Sequence, residues 1–216
     1  MQKIKAVIFD MDGVIIDSEP VFAYVKARSF SALGLPSEYV TTTSGGASLY
    51  ANWANIIERH NLPYNAKELA EKNFREVLSV IVERSIPESP NLSTLLGYLS
   101  DSGIKIACGS ASSREYVLGV LKYLDIDGYF SALVCGDEVE FPKPHPNTYL
   151  LAARKLGVLP KDCIIVEDSH VGSLAAQNAG IRCVGYRGNE KDPHADLSAC
   201  FKVVTDLAEI INVINI

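Results

Sequence analysis

The sequence predicts an α/β protein: a doubly wound, Rossmann-like parallel sheet with an α-helical domain inserted after the first strand. Three observations carry this reading. Short Val- and Ile-rich runs bounded by Gly, Asp or Pro recur along the chain, as strands buried on both faces do. Helix-length segments separate them, which implies right-handed crossovers between parallel strands. One interval, from about Asp17 to Arg84, holds helical periodicity and no strand-like run.

The first strand is expected at Ile4–Phe9, ending at Asp10. The insert then offers Val21–Leu33, Ser48–His60 and Ala66–Arg84 as helices, with Ser18, Ser48 and Asn65 as their caps. Pro20 and the pair Pro87 and Pro90 mark the two crossings, and the α/β pattern resumes near Ile86–Leu92. Further strands are expected at Ile104–Cys108, Ala132–Cys135, Cys163–Val166, Ile181–Tyr186 and Lys202–Val204. Leu92–Ser100, Arg114–Leu124, Asn147–Leu156 and Val171–Ala179 have helical spacing, and Gly103, Gly157 and Gly180 stop three of these helices. The expected division is a core of residues 1–16 and 85–216 and a helical cap of residues 17–84.

Composition narrows the function. The 216 residues are 48% apolar and 21% charged, enough apolar mass for an ordered core. With 20 basic and 26 acidic side chains the net charge is −6. A nucleic-acid partner needs a basic footprint and is disfavoured, so an anionic substrate must be drawn by a local cation. No run approaches the ~18 apolar residues of a membrane span, and the apolar stretch before Asp10 is too short for a signal-peptide core. The five cysteines, at 108, 135, 163, 183 and 200, form no C-x-x-C pair and read as reduced, mostly buried thiols. A cytoplasmic monomer is expected.

Ligands of open α/β sheets bind beyond the carboxyl ends of the strands. There the sequence places Asp10-Met11-Asp12-Gly13, Gly109-Ser110-Ala111-Ser112 and Glu167-Asp168-Ser169, with Lys143 in a loop near the same edge. Four carboxylates in one crevice, Asp10, Asp12, Glu167 and Asp168, repel one another unless a cation joins them. An all-oxygen set points to Mg2+ rather than zinc. The cation, Lys143 and the Ser110 hydroxyl together suit phosphate oxygens. A carboxylate in such a site can attack phosphorus, and a second, two residues on, can exchange protons with the leaving and entering oxygens. Taken singly each feature has an ordinary explanation: an acidic turn, a helix cap, a loop lysine, carboxylates favouring a helix N-terminus. Their occurrence together at strand ends is the sharper signal.

These stretches, with Val7-Ile8-Phe9-Asp10-Met11-Asp12-Gly13-Val14 running on to Pro20, Lys143-Pro144-His145-Pro146 and Val166-Glu167-Asp168-Ser169, resemble the haloacid dehalogenase superfamily of phosphohydrolases, in the branch of β-phosphoglucomutase and related phosphatases. The resemblance spans essentially the whole chain. It implies Asp10 as nucleophile and Asp12 as general acid and base. It implies Ser110, Ala111 and Lys143 around the phosphate. Mg2+ would be held by the Asp10 carboxylate, the Asp12 backbone carbonyl and Asp168, with Glu167 supporting through water. The insert would be a mobile cap that selects the substrate, a small phosphorylated metabolite such as a sugar phosphate.

In the cap the match thins. Mutases of this branch carry a Lys before the cap-loop Gly and an Arg after it. Here the stretch Thr43-Ser44-Gly45-Gly46-Ala47-Ser48-Leu49 has no basic residue, and Phe22 stands where such mutases have a His. Gly45, Gly46 and Ser48 are therefore expected to contribute to selectivity without gripping a second phosphate. Water becomes the natural acceptor, and a phosphatase is favoured over a phosphomutase. A phosphonate hydrolase would need a Schiff-base lysine, for which Lys26 is the available residue, and a dehalogenase would leave Asp12 without a role. A non-enzymatic phospho-accepting module is the remaining alternative; the insert and Asp12 argue against it.

Overall fold

The computed structural model describes residues 3–36, 48–188 and 196–215. Among these, six strands form one sheet in the order β3-β2-β1-β4-β5-β6: β1 (Ala6–Phe9), β2 (Lys105–Gly109), β3 (Ala132–Val134), β4 (Cys163–Glu167), β5 (Arg182–Tyr186) and β6 (Lys202–Val204). Every neighbouring pair is parallel. The expected strands are all present, with ends that agree to within two residues, because strands largely buried on both faces carry a single apolar signature. The chain runs outward from β1 to β3 and then crosses back to β4, so the strand order reverses beside β1. That reversal opens the crevice in which ligands of such sheets bind.

The strict alternation of β1 divides the core. Val7 and Phe9 point to one face, where Ile106, Cys108, Ile164, Val166 and Val184 join them. That face is covered by α4 (Leu92–Asp101), α5 (Arg114–Tyr123) and a short terminal helix, α8 (Glu209–Ile214), which the sequence reading does not include. Ala6 and Ile8 point to the other face with Ala107, Ile165 and Cys183. Helices α6 (Asn147–Leu156) and α7 (His170–Asn178) cover it. Small residues there let α6 approach closely: a Cβ on Gly109 would stand 3.2 Å from both Thr148 and Tyr149.

The insert comprises α1 (Glu19–Ala32), α2 (Leu49–His60) and α3 (Ala66–Glu83). Its interior is held by Phe30 stacked on Trp53 at 5.1 Å. Trp53 Nε1 donates to Asn73 Oδ1 at 3.0 Å, and Asn73 Nδ2 donates to Ser29 Oγ at 2.6 Å. A buried polar chain satisfied in this way fixes one packing of the three helices. Of the three expected caps, only Asn65 caps with its side chain, accepting from the backbone N–H groups of Lys67 and Glu68. Ser18 and Ser48 occupy cap positions without such a bond; the Ser18 hydroxyl is committed elsewhere. Outgoing and returning chain meet where Ile16 bridges Glu88 and Ser89 N–H donates to Ile15 C=O at 2.9 Å. The insert also rests on the core, α3 against α5, where Leu78 fills the space that a Cβ on Gly119 would need.

Candidate active site

Asp10 immediately follows β1, Ser110 follows β2, and Glu167 ends β4. Parallel register brings these ends together, since Phe9 pairs with both Cys108 and Val166. Lys143 arrives from the loop before α6, through a cis peptide bond to Pro144. Its Nζ donates to Asp10 Oδ1 at 2.7 Å and to Glu167 Oε1 at 2.7 Å, and it lies 4.7 Å from the Tyr149 ring centroid. The Lys143 side chain is 3% exposed and that of Glu167 0%, so both charges depend on their partners.

Glu167 is satisfied on both oxygens. Oε1 accepts from Lys143 and from Tyr149 OH at 2.6 Å, while Oε2 accepts from the N–H groups of Asp168 and Ser169 and from the Ser169 hydroxyl. The turn is as tight as glycine permits: a Cβ on Gly172 would overlap this carboxylate. Burial works against the Glu167 charge, but Lys143, Tyr149 and Ser169 outweigh it and hold the carboxyl below its usual range. Burial likewise opposes the Lys143 ammonium, and Asp10 and Glu167 more than restore it. Asp10 is different. Burial pushes its carboxyl well up; Lys143 pulls it down, while Glu167, Asp168 and Asp12 add to the rise.

That excess of negative charge is the test of a cation. Asp10, Glu167 and Asp168 each present an oxygen, all within 4.8 Å of one another. The donors are carboxylates, which fits a hard divalent ion. With both Glu167 oxygens already engaged by protein donors, Asp10 and Asp168 are the residues fitted to hold it, and Glu167 anchors Lys143 and the turn. Three of the four expected carboxylates form this group; the Asp12 carboxylate is not one of them.

Asp12 instead accepts three hydroxyls. Ser18 Oγ at 2.6 Å and Tyr116 OH at 2.7 Å reach Oδ1, and Ser112 Oγ at 2.7 Å reaches Oδ2. Gly13, with φ +93°, turns the chain so that its N–H meets Ile16 C=O at 2.8 Å and Ser18 swings back to Asp12. Tyr116 is fully buried, and burial together with the Asp12 charge pushes its phenol well up, so it remains a donor. Ser110 is fully buried, its Oγ accepting from Ser112 N–H at 3.0 Å. It does not cap α5; Ser113 does. Ala111 lies in the same turn, with its carbonyl against Gly136, where a Cβ would overlap it. Of the expected cap residues, Ser48 is buried at the start of α2, and Gly45 and Gly46 lie outside the described residues.

The structure therefore brings Asp10, Ser110, Lys143, Glu167 and Asp168 to one crevice and sets Asp12 beside it. It adds Ser18, Ser112, Tyr116, Tyr149 and Ser169, to which the sequence reading gives no role in the site. Residues 4–180 match the haloacid dehalogenase-like hydrolases, and the chain belongs to that family. With that membership, and with relatives that are named phosphatases, it is a phosphoric monoester hydrolase. A phosphorylated carbohydrates phosphatase of Thermotoga maritima is 30% identical over 98% of both chains. Hexitol phosphatase B of Escherichia coli is 30% identical over 85% of this chain and 83% of its own. Among solved structures, CbbY of Rhodobacter sphaeroides in complex with phosphate superimposes with a TM-score of 0.84 at 25% identity, over 96% of each chain. No helix among the described residues is long and apolar enough to cross a membrane.

Proposed function

We propose that the protein is a Mg2+-dependent phosphatase that hydrolyses a small phosphomonoester, a sugar or polyol phosphate, through an aspartyl phosphate on Asp10. The observation that carries this reading is Lys143 bridging Asp10 and Glu167. A strand-end carboxylate is thereby fixed on one oxygen, beside a fixed positive charge suited to a phosphoryl group. The names of the relatives favour phosphorylated carbohydrates as substrates. A divalent ion held by Asp10 and Asp168 would neutralise charge on the phosphoryl oxygens.

Asp10 attacks phosphorus in line, forming the acyl phosphate as the ester oxygen departs. Lys143, the Ser110 hydroxyl and the Ala111 backbone N–H hold the phosphoryl oxygens. Asp12 gives its proton to the departing oxygen, which leaves as the alcohol. The Asp12 carboxylate then takes a proton from water, whose oxygen attacks the same phosphorus. Inorganic phosphate leaves and the Asp10 carboxylate is restored. Residues 1–16 and 85–216 serve as the catalytic core, and residues 17–84 as a cap that excludes bulk water and selects the leaving group.

A phosphomutase is disfavoured because the cap-loop sequence holds no cation where such mutases carry their Lys and Arg. Thr43–Leu49 contain no Lys or Arg, and Phe22 packs its ring against Phe74 and Tyr116. The test is incubation with β-glucose 1-phosphate and catalytic glucose 1,6-bisphosphate, beside a panel of sugar and polyol phosphates with Mg2+. Inorganic phosphate is expected from the panel. Efficient formation of glucose 6-phosphate without comparable phosphate release overturns the phosphatase in favour of the mutase.

A further inference from the structure

We infer that Tyr116 is a positioning residue for Asp12 and that it ties the orientation of this acid/base to the docking of the helical insert. The inference rests on the reading of Asp12 as the group that protonates the leaving oxygen.

The geometry has two halves. On one side, the Tyr116 hydroxyl is one of three donors that fix the Asp12 carboxylate, sharing Oδ1 with Ser18 while Ser112 holds Oδ2. Three hydroxyls converging on two oxygens leave the carboxylate little rotational freedom. The donors come from separate elements: the segment leading into α1, the turn after β2, and α5. On the other side, the ring of the same tyrosine is built into an aromatic cluster with the insert. Its centroid lies 5.5 Å from that of Phe22 on α1 and 5.6 Å from that of Phe74 on α3. Phe22 and Phe74 also meet edge-on at 6.1 Å, and Tyr50 of α2 packs against Phe74 at 5.6 Å. Two inserted helices, α1 and α3, thus reach a core residue whose far end touches Asp12, and α2 joins the cluster through Phe74. Ser112 has no such contact among its described bonds, and Ser18 belongs to the insert itself, at the start of α1. Tyr116 is the donor from the core whose ring packs against the insert.

A residue acting through Asp12 affects leaving-group protonation more than phosphoryl binding. Its removal must therefore hurt esters of basic alcohols more than esters of acidic phenols. The comparison uses kcat/KM, which reports steps through departure of the leaving group. The substrates are 4-nitrophenyl phosphate, phenyl phosphate of nearly the same shape, and a hexitol phosphate, with Mg2+ present. The variant is Tyr116→Phe, which deletes the hydroxyl and keeps the ring and its packing. The ratio of kcat/KM for 4-nitrophenyl over phenyl phosphate should rise about tenfold in the variant, in keeping with partial loss of a general acid worth ~10²–10⁴ in rate. The hexitol phosphate should fall at least as far as phenyl phosphate. Equal losses on all three substrates, or no loss, overturn the inference and leave Tyr116 as packing. A wild-type enzyme that releases phosphate from none of the three overturns the reading of the site itself, and the role of Tyr116 with it.

Discussion

Lys143 Nζ lies 2.7 Å from Asp10 Oδ1 and, at the same distance, from Glu167 Oε1. One ammonium thus joins the candidate nucleophile to the most enclosed carboxylate of the site. Lys143→Ala removes the cation from both. Phosphatase activity should fall by at least about 100-fold, the scale of losing one preorganised charge in a dry site. The orphaned Glu167 should also cost about 3–5 kcal/mol of stability, as breaking one side of a buried pair does. Urea denaturation and phosphate release on the same variant check both. An active, equally stable variant returns Lys143 to an ordinary loop lysine.

Tyr149 donates to the oxygen of Glu167 that also receives Lys143. Tyr149→Phe leaves the ring beside Lys143 and removes one donor from a fully enclosed carboxylate. The expected loss is about 1–3 kcal/mol in stability, seen as a lower denaturation midpoint. Because Glu167 steers Lys143, kcat should fall more than KM rises.

Gly172→Ala places a methyl group where the Glu167 carboxylate stands. Overpacking of this kind costs about 1–3 kcal/mol. Here it also displaces the anchor of Lys143, so activity should fall together with the thermal midpoint. Gly97→Ala is the control: its Cβ meets nothing within 4 Å in the middle of α4, and it should be neutral or slightly stabilising.

The carboxyls of Asp10 and Asp168, drawn together with that of Glu167 to within 4.8 Å, should demand a divalent cation. Chelation should abolish phosphate release, and added Mg2+ should restore it. Asp168→Asn should raise the Mg2+ concentration at half-maximal activity by at least about tenfold, one ligand charge being lost. Full turnover in chelator contradicts the acidic cluster as a metal site.

How much of this was legible in the sequence follows from range. The strands were, because each is a short apolar run, most of them buried on both faces; α6 was, to the residue, because Pro146 and Gly157 punctuate its two ends. Helix α8 was not, since six residues carry too little periodicity. In the site, Asp10, Glu167 and Asp168 announce themselves as charges at strand ends, and Lys143 as a cation in a loop near the same edge. The Asp12 environment does not. Ser18 looks like a helix cap, Ser112 like part of a turn, and Tyr116 like one apolar position of α5. Only the fold, by bringing residues 6, 100 and 104 positions away onto one carboxylate, makes them a set.

The central claim is that phosphorus passes through Asp10. The most direct measurement is rapid acid quench of the enzyme with 32P-labelled acetyl phosphate and Mg2+, followed by borohydride reduction and peptide mapping. The account predicts transient label on the peptide containing Asp10, converted by reduction to homoserine at position 10, and no label in Asp10→Asn. Steady hydrolysis with no label on that peptide, or label persisting in Asp10→Asn, contradicts it.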